Sequence, residues 1–257
     1  MNFPQFESVI PVFRQLQNED MEQIGSGVAV MLAGLPFILT VAHVADEIDN
    51  SEHIFVPADE GFISVAGAFT RHRLPASGKR SDDLIDIAVC KLFTSTANQL
   101  HPSISFLEES DCDFKGGIPL THPVTFAGYP WRKSKTQPGS GRVESEFATF
   151  TGSHVDSSNY PHLGYSSRNH ITVRFRRKKS FLMRTQRINM AMLPHGISGG
   201  GVFSWNTEAA AAGEPASIKL CGICMSYHAE DNIMVATRLS RYVEVIYRSI
   251  DYMVKAP

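Results

Sequence analysis

The sequence predicts an all-β fold closed by one C-terminal helix, on three observations. Short apolar or alternating runs recur between turn signals along the whole chain. Helical periodicity is confined to the last stretch. Near the middle, a segment rich in Gly, Pro, Asp and Ser breaks the strand rhythm and divides the chain into two β halves.

The runs are SVIPVF, SGVAVML, LPFILTVAHV, HIFVP, FISVAGAF, DIAVCKL, VTFAGYP, EFATFTG, ITVRF, GVFSW, IKLCGICMSY and NIMVATRL. Their length and spacing suit a barrel or a sandwich. From Ser240 onward, Val243, Ile246, Tyr247, Ile250 and Met253 recur at helical spacing, with Ser240 as the expected N-cap. The break from Thr94 to Pro123 places a boundary near residue 115, giving units 1–115 and 116–257. Trp131 to Arg142 and Asn206 to Ser217 read as loops. No repeat of solenoid or propeller length is visible.

The composition excludes several classes. With 43% hydrophobic residues, the 257-residue chain can bury a sizeable core. A formal charge of −2, from 24 basic and 26 acidic residues, gives no global pull toward nucleic acid or an anionic membrane. The longest apolar run, Val28 to Val44, is broken by Gly34, Pro36, Thr40 and His43, short of the roughly 20 residues that span a bilayer. The first twenty residues lack a secretory pattern, and four cysteines are few for a secreted chain, so a soluble, cytoplasmic protein is expected. Cys221 and Cys224 share a C-x-x-C spacing but sit in a strand-like run, where they read as core thiols. Ten histidines form no H-E-x-x-H or paired ligand spacing, so neither metal nor cofactor is expected.

Acyl transfer by a serine needs a base to take the hydroxyl proton, a group to hold that base, and backbone donors for the oxyanion. LTVAHV places His43 at the end of an apolar strand. DDLIDIAVCKL puts Asp86 at the mouth of another, where a carboxylate can accept the imidazole N–H. HGISGG sets Ser198 among glycines that permit a tight turn, with the N–H groups of Gly196 and Ser198 as oxyanion donors. Each string alone has an ordinary structural explanation. Their occurrence together, in the order His, Asp, Ser on a strand-rich chain, is what points to catalysis.

With TVAH, DIAV and GISGG in that order, the chain resembles the trypsin and chymotrypsin superfamily, and more closely its bacterial, disulfide-free cytoplasmic members. SGVAVML before the histidine and LCGI after the serine extend the likeness, which runs from about Ile24 to Leu239. The resemblance implies two antiparallel six-stranded β-barrels, the first carrying His43 and Asp86 and the second Ser198. It implies a serine endopeptidase with a peptide or protein substrate; the competing reading is a catalytically silent module that holds a peptide in the same cleft. It also puts Met192 at the base of the primary specificity pocket with Leu193 beside it. Met225, Ser226 and Tyr227 form the pocket wall and pair with substrate backbone. An apolar base favours a medium apolar or aromatic side chain before the scissile bond. His195 or His228 reaching the pocket would instead favour Gln or Glu.

The chain departs from the family at three points. Ile197 stands where secreted members carry the aspartate used in zymogen activation, so the oxyanion turn must be held by packing or by an activating protein partner. Val44 replaces a disulfide cysteine. Met225 replaces a serine that donates to the catalytic aspartate, unless the register slips by one and Ser226 takes that role. A local basic cluster, Arg174, Arg176, Arg177, Lys178 and Lys179 with Arg168, Arg184 and Arg187 nearby, reads as a solvated hairpin rather than a nucleic-acid site. The G-x-S-x-G esterase pattern is disfavoured because the serine comes last.

Overall fold

All twelve apolar runs form strands. The computed structural model describes residues 3–48, 53–58, 61–117, 119, 121–131, 135–136, 143–175, 180–182, 187–189, 194–206 and 218–255. In chain order the first half holds β1 (Val9–Gln15), β2 (Met21–Leu32), β3 (Leu35–Thr40), β4 (Ile54–Ala58), β5 (Gly61–Val65), β6 (Gly67–Arg71) and β7 (Ala88–Leu92). The second half holds β8 (Val124–Gly128), a short hairpin of β9 (Lys135–Thr136) and β10 (Val143–Glu144), β11 (Ala148–Gly152) and β12 (His170–Arg174). A second hairpin follows, β13 (Ser180–Leu182) with β14 (Arg187–Asn189), and then β15 (Gly201–Trp205), β16 (Ile218–His228) and β17 (Ile233–Arg238).

Two antiparallel sheets result, ordered β5-β4-β1-β2-β3-β7-β6 and β11-β8-β15-β16-β17-β12. The first has seven strands where six were expected, because the run FISVAGAF breaks at Ala66 into β5 and β6. These two strands lie at opposite ends of the sheet order although one residue separates them. The sheet must therefore curl until its edges meet. Gly67 permits the close approach, since a Cβ there would lie 2.5 Å from Lys91 O. The second sheet closes in a similar way: after β11, His154 bridges Val173 of β12 and Val155 N–H donates to Thr172 O at 2.9 Å. This is the chymotrypsin-like all-β fold, two curled antiparallel barrels with few helices.

Apolar residues from alternating strand positions fill each barrel. Val12, Val28, Phe37, Leu39, Val56 and Val89 belong to the first core, and Phe126, Phe150, Ile171, Val202 and Met234 to the second. The four cysteines are all free and buried, and Cys221 and Cys224 pack in the second core.

Among the described residues three α-helices accompany the strands: α1 (Ala42–Asp46), α2 (Thr94–Leu100) and α3 (Tyr242–Lys255). The first two had no apolar periodicity to reveal them. A 3₁₀ turn, Leu239–Arg241, precedes α3, so Ser240 lies inside that turn rather than capping the helix. α3 crosses back from the second barrel to pack on β6 and β7 of the first, and Tyr242 O–H donates to Thr40 O at 2.8 Å. Residue 115 falls in the segment between the sheets. No helix among the described residues is long and apolar enough to cross a membrane.

Candidate active site

His43 stands on α1, not at the end of β3, which stops at Thr40. The one-turn helix forms because Asp86 satisfies its N-terminal donors: Ala42 N–H bonds Asp86 O at 3.2 Å and His43 N–H bonds Asp86 Oδ1 at 3.0 Å. The other carboxylate oxygen, Oδ2, lies 2.6 Å from His43 Nδ1. Asp86 is 4% exposed, whereas the His43 side chain is 40% exposed. One buried carboxylate thus orients a ring whose far edge is open to solvent.

Asp86 itself occupies a left-handed conformation, φ +46°. Its turn is held from both barrels. Ile85 N–H donates to Asp83 Oδ1 at 3.1 Å, Thr237 Oγ1 donates to Ile85 O at 2.8 Å, and His170 Nε2 lies 2.6 Å from Leu84 O. Burial tends to raise the Asp83 pKa, but the backbone N–H of Asp86, the His72 ring, the Ile85 N–H and Arg80 together hold it below the usual carboxylate value.

Ser198 sits in a turn that needs its glycines: Gly196 has φ +91° and Gly199 φ +86°. Gly199 N–H donates to Cys224 O at 2.8 Å and Gly200 N–H to Ile197 O at 2.8 Å. Ile197, the residue before Ser198, is 1% exposed and packs in the second core, which anchors this side of the turn. β2 supports the turn from the first barrel, where Ser26 N–H donates to Ser198 O at 2.8 Å and Thr40 Oγ1 donates to Ser26 O at 2.8 Å. A Cβ on Gly25 would meet Val44 at 2.6 Å and Ser198 O at 2.9 Å, which places the His43 helix and the Ser198 turn on either side of that glycine.

Trp131 N–H donates to His195 O at 3.2 Å, and a trans peptide directs its C=O and N–H oppositely, so the Gly196 N–H points away from Trp131. Among the described residues neither the Gly196 nor the Ser198 N–H takes part in a backbone hydrogen bond. Ser198 Oγ donates to Met225 O at 3.3 Å rather than to His43.

Of the expected wall, Met225 is the bulged residue where the β16–β17 register shifts, and its side chain is buried. Neither Met225 nor Ser226 supplies a donor to Asp86: Ser226 Oγ lies 3.1 Å from His228 Nε2, which also lies 2.6 Å from Tyr165 O–H. The rings of His195 and Tyr227 meet edge to face, with centroids 5.9 Å apart. Met192 and Leu193 lie outside the described residues, as do Arg176, Arg177, Lys178, Lys179 and Arg184. No cluster of three metal-ligating side chains occurs among the described residues. Sequence reading missed Ser26, Asp83, Thr237 and His170; only Ser26 had a local signal, the Ser-Gly that opens the SGVAVML run.

This arrangement of barrels and turns is that of the trypsin-like serine protease fold. No protein-family model matches the chain, and no curated protein matches it. Solved structures do. Neuropsin, a serine protease expressed in the limbic system of mouse brain, aligns over 97% of this chain and 97% of its own at 13% identity, with a TM-score of 0.55. Kallikrein-related peptidase 10, in a complex with Zn2+, aligns over 98% of this chain and 99% of its own at 15% identity, with a TM-score of 0.56. At these identities the likeness is one of fold.

Proposed function

We propose that the chain is a serine endopeptidase acting through Ser198, His43 and Asp86. The observation that carries the reading is the buried Asp86 carboxylate 2.6 Å from Nδ1 of a half-exposed histidine, in a fold shared with serine proteases. Ser198 Oγ attacks the substrate carbonyl while His43 Nε2 takes the hydroxyl proton, and Asp86 stabilises the imidazolium through Nδ1–H. The N–H groups of Gly196 and Ser198 receive the oxyanion. His43 then protonates the leaving amine, and water, deprotonated by the same ring, releases the acyl group. Ser198 must exchange its bond to Met225 O for one to His43, a change common when catalytic bonds tighten on binding substrate.

Units 1–115 and 116–257 would meet at this cleft, with substrate backbone pairing along Met225, Ser226 and Tyr227. We assign an apolar or aromatic preference before the scissile bond, with Met192 and Leu193 at the pocket base and the His195–Tyr227 pair at its lip. Four buried, unpaired thiols support a reducing compartment such as the cytoplasm. The silent peptide-binding module is the competing reading, favoured by the Ser198 bond to Met225 O. A serine-directed fluorophosphonate probe separates them. Labelling of the wild type that disappears in Ser198→Ala supports the peptidase; absence of labelling, with and without added candidate partners, supports the module.

A further inference from the structure

The His43 helix and the Asp86 turn are joined a second time, away from the imidazole. Asp46, the last residue of α1, accepts from Arg80 Nε at 2.7 Å. Arg80 Nη1 donates to Asp83 Oδ2 at 2.7 Å and to His72 O at 3.0 Å. Asp83 accepts from the Ile85 backbone N–H at 3.1 Å, in the turn that sets Asp86 at its positive φ. His72 Nδ1 lies 2.8 Å from Asp83 Oδ1 and braces the same carboxylate. Arg71 adds a strand to this bridge, donating to Ala45 O at 2.7 Å, with its Nε 3.6 Å from Asp46 Oδ1.

We propose that Arg80 is a positioning residue, a fork that fixes the distance and angle between the helix bearing His43 and the turn bearing Asp86. Three properties support this role over ordinary surface pairing. The Asp83 side chain is 2% exposed and that of Arg80 15%, so the pair is shielded from the screening that makes exposed pairs weak. The guanidinium uses two different nitrogens on two carboxylates from two different elements, a planar geometry that an ammonium cannot reproduce. Finally, a carboxylate in a left-handed turn has no regular ladder to hold it, so its orientation depends on bonds of this kind. The inference rests on the reading of His43 and Asp86 as a catalytic pair.

The test compares wild type, Arg80→Ala, Arg80→Lys and Asp46→Asn by two readouts. The first is the rate of fluorophosphonate labelling at saturating and sub-saturating probe. A misplaced catalytic pair lowers the maximal rate by about tenfold to a hundredfold in Arg80→Ala with little change in probe affinity. Arg80→Lys falls with it, and Asp46→Asn shows a smaller loss. The second readout is the downfield proton NMR signal of His43 Nδ1–H in its bond to Asp86, assigned by its loss in His43→Ala. It broadens through faster solvent exchange in both Arg80 variants and is retained in wild type. A purely structural Arg80 would lower the melting temperature and leave this signal intact. Unchanged signal and labelling in folded Arg80→Ala, or a wild-type result in Arg80→Lys, overturns the proposal. Should Arg80→Ala not fold, Asp46→Asn decides, since Asp46 is partly exposed and its loss strands no buried charge. Should the wild type never label, the peptidase reading fails, while the NMR signal still decides the role of Arg80.

Discussion

At Gly199 the backbone conformation and the space around it make the same demand. Its φ of +86° is one that L side chains rarely adopt, and a Cβ there would lie 2.0 Å from Ser26 O and 2.3 Å from Thr40 Oγ1. Both contacts are with the first barrel, so this glycine lets the Ser198 turn dock against β2. Gly199→Ala is expected to destabilise the protein by more than about 2 kcal/mol, the sum of backbone strain and a clash with a backbone oxygen. Urea denaturation of the variant checks this; a loss under 1 kcal/mol would mean that the turn relocates freely. The residues that carry the proposed chemistry were legible because each lies in a short local string: TVAH, DIAV and GISGG. Those that hold them in place were not. Arg80 and Asp46 are 34 positions apart, and Thr237 and Ile85 are 152 apart, distances over which a single sequence contains no pairing signal.

The same division between local and non-local information holds for elements. Strands were legible because period-2 alternation is written in each run. The split of FISVAGAF at Ala66 was not, because it depends on the two edges of a curled sheet meeting there. α2, with the sequence TSTANQL, has no amphipathic stripe and exists through tertiary contact, burying Thr96, Ala97 and Leu100. α3 shows the opposite case, a strong apolar face whose destination the sequence could not name. It crosses to the first barrel, and its first residue, the fully buried Tyr242, bonds Thr40 O at 2.8 Å, two residues before α1. Tyr242→Phe should therefore cost about 1–2 kcal/mol, leaving the packing and removing the bond. Tyr242→Ala should cost about 3–5 kcal/mol. Both are read as lower urea midpoints at an unchanged slope, which distinguishes lost stability from a changed denatured state. An unaltered midpoint in Tyr242→Phe would show that the bond contributes nothing net.

For the whole molecule, charge state sets a limit that no single element reveals. His154, at the bridge that closes the second barrel, has its pKa pushed down to about 4, by burial first and then by the positive charge of Arg238, with His122 nearby. His170, which braces the Asp86 turn, is also lowered, mainly by burial. A histidine whose folded pKa lies below its unfolded value of about 6.5 costs nothing at neutral pH, where both states are uncharged. As the pH falls below about 6.5 the unfolded chain takes up a proton that the folded chain refuses, and stability is lost until about pH 4. For His154 this amounts to about 2 kcal/mol once its partial exposure is allowed for. The lowered pKa of Asp83 acts in a separate window. Its contribution is complete above the unfolded carboxylate value of about 4 and is lost only as the pH falls further, through its folded value. Urea midpoints measured from about pH 7.5 down to about pH 2, a range that spans both windows, should thus decline in two stages. His154→Gln should flatten the upper stage, leaving the part due to His170, while the lower stage remains. An upper stage of equal depth in His154→Gln would place the acid sensitivity elsewhere, and a rise in stability toward pH 5 would contradict the burial of both rings.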